Sequence, residues 1–385
     1  MHPRLWFLWA AVAVLLVGGV IASVVSDEGP ALTTTTTTTT TAAPLTPERI
    51  DAVVAELQEF VARARGLQFK QPVKATLLDD AAFRARLQED EETDREELEK
   101  TTKTLRALKL LEEDVDLEKA IESLLGDAVL GFYDPEKDEL VVRGAALTPN
   151  VRSTLVHELT HALQDQHFEL DRDDLDDRDD EAGTAFDGLV EGDAVRIERD
   201  YVGTLSRREA REAEDAGPAP DFSDVPPVLL QSIAFPYVYG PRFVEELVEA
   251  GGNARVDEAF RRPPETSEQI LHPAAYLQGD GLAVVAEPAA GGEVFDRGVV
   301  GEFGLYLILE AALDQQDLQR AIIGWDGDRY VSWEAGGRLC FRATVRMESE
   351  RDARELRDGL RAWANEVGGV TVAFDTNPVE FTSCV

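Results

Sequence analysis

His157-Glu158-Leu159-Thr160-His161 constrains this chain more than any other stretch. Residues four apart share one face of an α-helix, so both imidazoles can reach a single metal ion. Glu158 sits one step round, beside the ion's remaining position, where a carboxylate can take a proton from water. The flanks predict the helix. Thr148-Pro149 supplies an N-cap and a proline suited to the first turn. Val151, Leu155, Leu159, Ala162 and Leu163 then recur with helical spacing as a buried stripe. The chain has only five histidines, His2, His157, His161, His167 and His272, so the pairing is not a product of abundance. Imidazole suits zinc, and catalytic zinc sites keep three protein ligands plus an open position. The alternative, an amphipathic helix with two surface histidines, leaves a second acidic element unexplained.

That element is Val190-Glu191-Gly192-Asp193-Ala194, 30 residues beyond His161. Together the two stretches resemble the gluzincin branch of the HExxH zinc metallopeptidases, in which a glutamate on a following helix is the third ligand. The resemblance covers roughly residues 128–205, and Pro264–Pro273 is similar to a stretch of secreted or membrane-anchored bacterial members. It implies an α+β fold with a zincin-like catalytic domain, a small mixed sheet plus the active-site helices. It implies Zn2+ held by His157, His161 and Glu191, with Glu158 as general base in peptide-bond hydrolysis. Asp193 or Asp187 would orient a ligand histidine. His272, Tyr239 and Tyr237 are the candidates for a hydrogen bond to the developing oxyanion, and His272 can equally be a structural residue before Pro273. Small residues at Gly188, Gly192 and Ala194 would bring the second helix close to the first. Glu139–Arg143 would be the edge strand that receives extended substrate. The substrate is then a peptide or protein. The competing reading is a catalytically silent zincin-like surface protein that binds zinc or a partner, against which the intact Glu158 argues. For Glu191 itself the alternative is a solvated helix-surface carboxylate.

The closest competitor for third ligand is His167. His157, His161 and His167 have the spacing of a metzincin motif, but the helix-breaking glycine of that motif is replaced by Gln164. On an unbroken helix His167 lies roughly 9 Å beyond His161 along the axis and off the ligand face. The only methionines are Met1 and Met347, and Met347 falls in a strand-like run, which leaves no methionine turn.

The rest of the chain bounds the setting. Arg4 precedes an apolar run from Leu5 to Val25, with Asp27 and Glu28 after it, which predicts a membrane anchor or signal segment over 1–26. The body then faces outward at the cell membrane, or is secreted if cleavage occurs near Ser26. Thr33–Thr41 sits in a linker spanning 27–45 that cannot bury apolar surface. A net charge of −37 argues against nucleic acid and anionic lipid as partners, so the membrane is met through the N-terminal helix only. Two cysteines occur, Cys340 and Cys384, in strand-like runs over 339–347 and 379–385. An exported chain would pair them across one sheet, the alternative being two free buried thiols.

Residues 46–290 read as the catalytic domain and 291–385 as a smaller α+β unit packed on it. Helices are expected from Thr46 to about Gly66 and, two or three of them, over 80–125. A strand is expected over 73–78, and a hairpin from Ala128–Tyr133 and Glu139–Arg143. Residues 171–181 form an acidic loop between the two ligand helices, a solvated segment or a calcium site. From Pro226-Pro227 a largely helical block runs to about 290, with a dense aromatic cluster at Phe235–Tyr239.

Overall fold

The computed structural model describes residues 46–90, 95–134, 137, 139–144, 146–171, 180–215, 222–373 and 377–385. The anchor or signal segment at 1–26, the linker at 27–45 and most of the acidic loop at 171–181 lie outside the described residues. Among the described residues no helix is long and apolar enough to cross a membrane.

The architecture is mixed α+β. Helix α1 (Pro47–Arg65) has Pro47 in its first turn and closes at Gly66, whose φ of 70° is the left-handed conformation glycine tolerates. A small mixed sheet contains β1 (Lys74–Leu78), β2 (Gly131–Asp134) and β3 (Glu139–Arg143) in the order β1-β3-β2. The expected hairpin is β2–β3, antiparallel, while β1 runs parallel to β3. This corrects the expectation for Glu139–Arg143. It is the central strand, with both sides already paired, and β1 and β2 are the edges. Its sequence carried the sign: Leu140, Val141 and Val142 form an unbroken apolar run, and all three are 0% exposed, as in strands covered on both faces. Three helices fill the stretch expected to be helical, α2 (Asp80–Asp90), α3 (Arg95–Ala107) and α4 (Leu117–Ala128).

The middle of the chain is helical: α5 (Pro149–Phe168), α6 (Asp180–Thr204), α7 (Arg207–Glu214), α8 (Pro227–Gly251), α9 (Asn253–Arg261), α10 (Ser267–Leu271) and α11 (Pro273–Gln278). Helix α5 starts as expected, with the Thr148 side chain accepting from the Val151 backbone N–H. It packs against α1 and the small sheet through Val151, Leu155, Leu159 and Leu163, which join Leu57, Val61, Leu140 and Val142 in one apolar cluster.

Two of the small residues of α6, Gly188 and Gly192, do a different job from the expected one. They admit α8, not α5. A Cβ at Gly192 would lie 2.3 Å from the Gly240 backbone, and one at Gly240 would lie 2.1 Å from the Gly188 carbonyl oxygen. Helix α8 is thereby pressed onto α6.

The C-terminal unit comprises β4 (Glu293–Gly298), α12 (Gly301–Leu309), α13 (Gln315–Ile322), β5 (Trp325–Ala335), β6 (Arg338–Met347), α14 (Glu350–Val367), β7 (Val370–Val372) and β8 (Val379–Cys384). Its sheet has the order β4-β5-β6-β8-β7 and is antiparallel throughout. Cys340 in β6 faces Cys384 in β8, and the two form a disulfide. Helix α12 joins the two parts. Leu305, Ile308 and Leu309 enter the core under the C-terminal sheet, while Phe303 and Leu307 enter the helical core with Leu189, Phe235 and Phe243. Asp328 anchors its start, accepting from the Val300 and Gly301 backbone N–H groups at 2.7 and 3.0 Å and from the Trp325 indole at 2.9 Å.

Candidate metal centre

Helix α5 runs unbroken from Pro149 to Phe168 and buries both imidazoles of its motif, with His157 0% and His161 2% exposed. Helix α6 brings Glu191 against them. The Nε2 atoms of His157 and His161 are 3.0 Å apart, and Glu191 Oε2 lies 3.1 Å from the first and 3.4 Å from the second. Ligand atoms around a tetrahedral ion bound at about 2.0–2.1 Å are separated by roughly 3.3 Å, so the spacing fits a single metal ion. Among the described residues these three are the group able to hold one.

The hydrogen-bond network decides which atoms face that point. His157 Nδ1 meets Glu198 Oε2 at 3.3 Å, and Glu198 also accepts from the Ser153 hydroxyl at 2.6 Å. A carboxylate only accepts, so His157 Nδ1 carries a proton. His161 Nδ1 meets the Gln164 amide oxygen at 3.0 Å. That amide is oriented by its own nitrogen, which donates to the Val190 carbonyl and to Asp193 Oδ2, each at 3.1 Å. His161 Nδ1 therefore carries a proton too. In the neutral rings both Nε2 lone pairs then point at one another and at a carboxylate. Three acceptors converge with no donor among them, a donor set suited to a cation.

The electrostatics show the same demand for positive charge. Burial pulls the His157 pKa down, but hydrogen bonds accepted by Glu191 and Glu198 outweigh it and hold the imidazole well above its usual range. Burial pushes Glu191 up, and the two histidines outweigh it, bringing this carboxyl down to about 2. Glu158 behaves differently. Burial dominates and lifts it to about 7, partly opposed by His157 and His161. Its Oε2 is buried with no hydrogen-bond partner, so the carboxylate beside the metal group keeps one oxygen uncommitted.

The other predicted residues divide. His167 lies within the continuing helix and its Nε2 reaches the Gln68 carbonyl oxygen at 2.8 Å, away from the metal group. Tyr237, buried on α8, donates its hydroxyl to Glu191. Tyr239 and His272 are not brought to the centre. Both line a separate cavity of about 390 Å3 that also contains Arg242 and Glu302. His272 Nε2 bonds Glu302 Oε1 at 3.0 Å, and the charges acting on it are Glu302, Glu268 and Arg242. The physical reason is rotation about α8. Tyr237 and Tyr239 are two residues apart and cannot share a helix face. Asp193 contacts no histidine directly; it acts through Gln164 and pairs with Arg65 and Arg196. Asp187 lines a different cavity.

Sequence reasoning missed Gln164 and Glu198, the residues that orient the two imidazoles. Both had a spacing signal. Gln164 is three residues past His161 on the same face of α5, and Glu198 is seven past Glu191 on the face of α6 that meets His157.

A family model described as a domain of unknown function (DUF8575) matches residues 289–383. The match covers the C-terminal unit and leaves the helices of the metal group outside it. Comparison with curated proteins and with solved structures returns no match.

Proposed function

We propose that this protein is a zinc-dependent peptidase of the gluzincin type, working outside the cytoplasm, with His157, His161 and Glu191 as zinc ligands and Glu158 as general base. One observation carries the reading. Three metal-ligating atoms converge within 3.4 Å of one another beside a buried carboxylate oxygen that has no partner. A structural metal site has no use for that fourth group, because an uncommitted buried carboxylate is costly.

When bound, zinc supplies a Lewis acid that polarises a carbonyl and acidifies water. The remaining work belongs to the chain. Glu158 takes the proton of the attacking water and returns it to the leaving amine nitrogen. Glu198 and Gln164 hold the two imidazoles in the tautomer that frees Nε2. Tyr237 holds Glu191 by its hydroxyl. The α5–α6 pair beneath a small mixed sheet supports a zincin-like catalytic domain, and the apolar segment over 1–26 supports export.

The test is hydrolysis of denatured casein by the full-length protein with and without a zinc chelator. Activity that the chelator abolishes and added zinc restores is expected. Glu158→Gln should retain the metal and lose activity by about 100-fold or more, the range for removal of a general base. Chelator-resistant activity, or loss of metal from Glu158→Gln, contradicts the reading.

A further inference from the structure

We propose that the cavity between α8, α10, α12 and α13 is a binding site for a free α-amino acid with an apolar side chain, Arg242 taking its carboxylate and Glu302 its ammonium group. The site lies apart from the metal group and does not rest on the peptidase reading.

The cavity has a volume of about 390 Å3. Sites for whole small molecules begin at roughly 300 Å3 and favour junctions between the units of a fold. This cavity lies at such a junction. Arg242 comes from α8 and His272 from the link between α10 and α11, while Glu302 and Ile322 come from α12 and α13 of the C-terminal unit.

Glu302 gives the reason to expect a ligand. Its side chain is 2% exposed. Oε1 accepts from His272 Nε2 at 3.0 Å, and Oε2 is buried with no hydrogen-bond partner. A buried carboxylate oxygen without a donor is costly, and a ligand ammonium group supplies a charged one. The opposite charge is present in the same lining. Arg242 is exposed, makes no ion pair among the described residues, and lies near enough to His272 for its charge to act on the imidazole. The hydrogen bond to Glu302 holds that imidazole above its usual pKa. This favours the protonated ring, a second cation beside the guanidinium.

The other polar lining groups fit the same ligand. Glu246, one turn beyond Arg242 on α8, adds a negative charge. The Tyr306 hydroxyl is already bonded to Glu310 and Gln315, and the charges of Tyr306 and Glu310 act on Tyr239. Gln319 is neutral. A simple anion would leave Glu302 Oε2 unanswered, and a simple cation would meet Arg242 and His272. Among the described residues the group able to hold a metal ion is the one at His157, His161 and Glu191. An ammonium and a carboxylate on one carbon answer both charges. Ile270, Phe303 and Ile322 give apolar walls for the side chain that the same carbon carries.

Isothermal titration calorimetry on the full-length protein tests the site with three probes. They are L-leucine, isoamylamine (leucine without its carboxylate) and isocaproic acid (leucine without its amino group). Leucine should bind about tenfold or more tighter than either, the scale of one hydrogen bond to a charged group. Arg242 is exposed, so its truncation leaves the core intact. Arg242→Ala should weaken leucine by a similar factor and leave the amine unchanged. Glu302→Gln should weaken leucine and the amine together. No binding of leucine at millimolar concentration overturns the site. So does leucine that binds no tighter than the amine or the acid, or leucine binding that survives Arg242→Ala.

Discussion

Arg65 and Asp193 meet at 2.7 Å in the interior, with both side chains 0% exposed. Arg65 comes from the end of α1 and is also held by Asp257 of α9 at 2.9 Å. Asp193 passes this anchorage to the metal centre, because it fixes the Gln164 amide that orients His161. Coulomb attraction to Arg65 and Arg196 outweighs the burial penalty and keeps Asp193 below the usual carboxylate range. Removing the charge leaves a buried guanidinium short of its counterion. Asp193→Asn should therefore cost about 3 kcal/mol of stability and weaken zinc binding about tenfold or more. Urea unfolding and a competitive zinc titration measure the two effects, and a variant within 1 kcal/mol of wild type would contradict the proposed role.

The crossing of α6 and α8 gives a paired prediction. Gly192 and Gly203 are both helical glycines of α6, but the first has backbone atoms 2.3 Å from an added Cβ and the second has nothing within 4 Å. Gly192→Ala should destabilise by about 3 kcal/mol through forced separation of the helices, and should shift Tyr237 away from Glu191. Gly203→Ala should be neutral or stabilise by up to about 1 kcal/mol, the helix-propensity gain. Thermal unfolding of the two variants ranks them, and equal midpoints would contradict the crossing.

Asp328 predicts a pH dependence. Burial raises its carboxyl from 3.8 to about 6, against the pull of the Val300, Gly301 and Trp325 donors. Between those values the folded state holds a proton that the unfolded state has released. This contribution is fully present below pH 3.8 and is lost as pH rises through about 6. Asp328→Asn cannot titrate. Its destabilisation relative to wild type should be larger at pH 5 than at pH 8 by about 1.4 kcal/mol. Denaturant unfolding of both proteins at the two pH values tests this, and a pH-independent difference would contradict it.

Much of this was legible in local pattern. The start of α5 was readable because Thr148, Pro149 and the apolar stripe all favour the same state. Cys340 and Cys384 were readable as sheet neighbours because both lie in strand-like runs. Helix α7 escaped notice in a charged stretch, although Ser206 and Glu209 form a capping box there. The centre of the small sheet was misread because the partner of β3, Lys74–Leu78, lies far away in sequence and pairs parallel to it. At the candidate metal centre, the spacing of His157 and His161 and the acidic element at Glu191 pointed to the three residues that the fold brings together. Choosing Tyr237 over Tyr239 required the rotational setting of α8. That setting depends on the Gly188, Gly192 and Gly240 contact, a tertiary fact that no local pattern encodes.

The central claim is that His157, His161 and Glu191 hold one zinc ion and His167 does not. Metal analysis of purified wild type, Glu191→Ala and His167→Ala, each equilibrated with substoichiometric chelator, tests it most directly. The account predicts one zinc per chain in wild type, near-complete loss in Glu191→Ala, and wild-type content in His167→Ala. Retention of zinc by Glu191→Ala together with its loss from His167→Ala would contradict it.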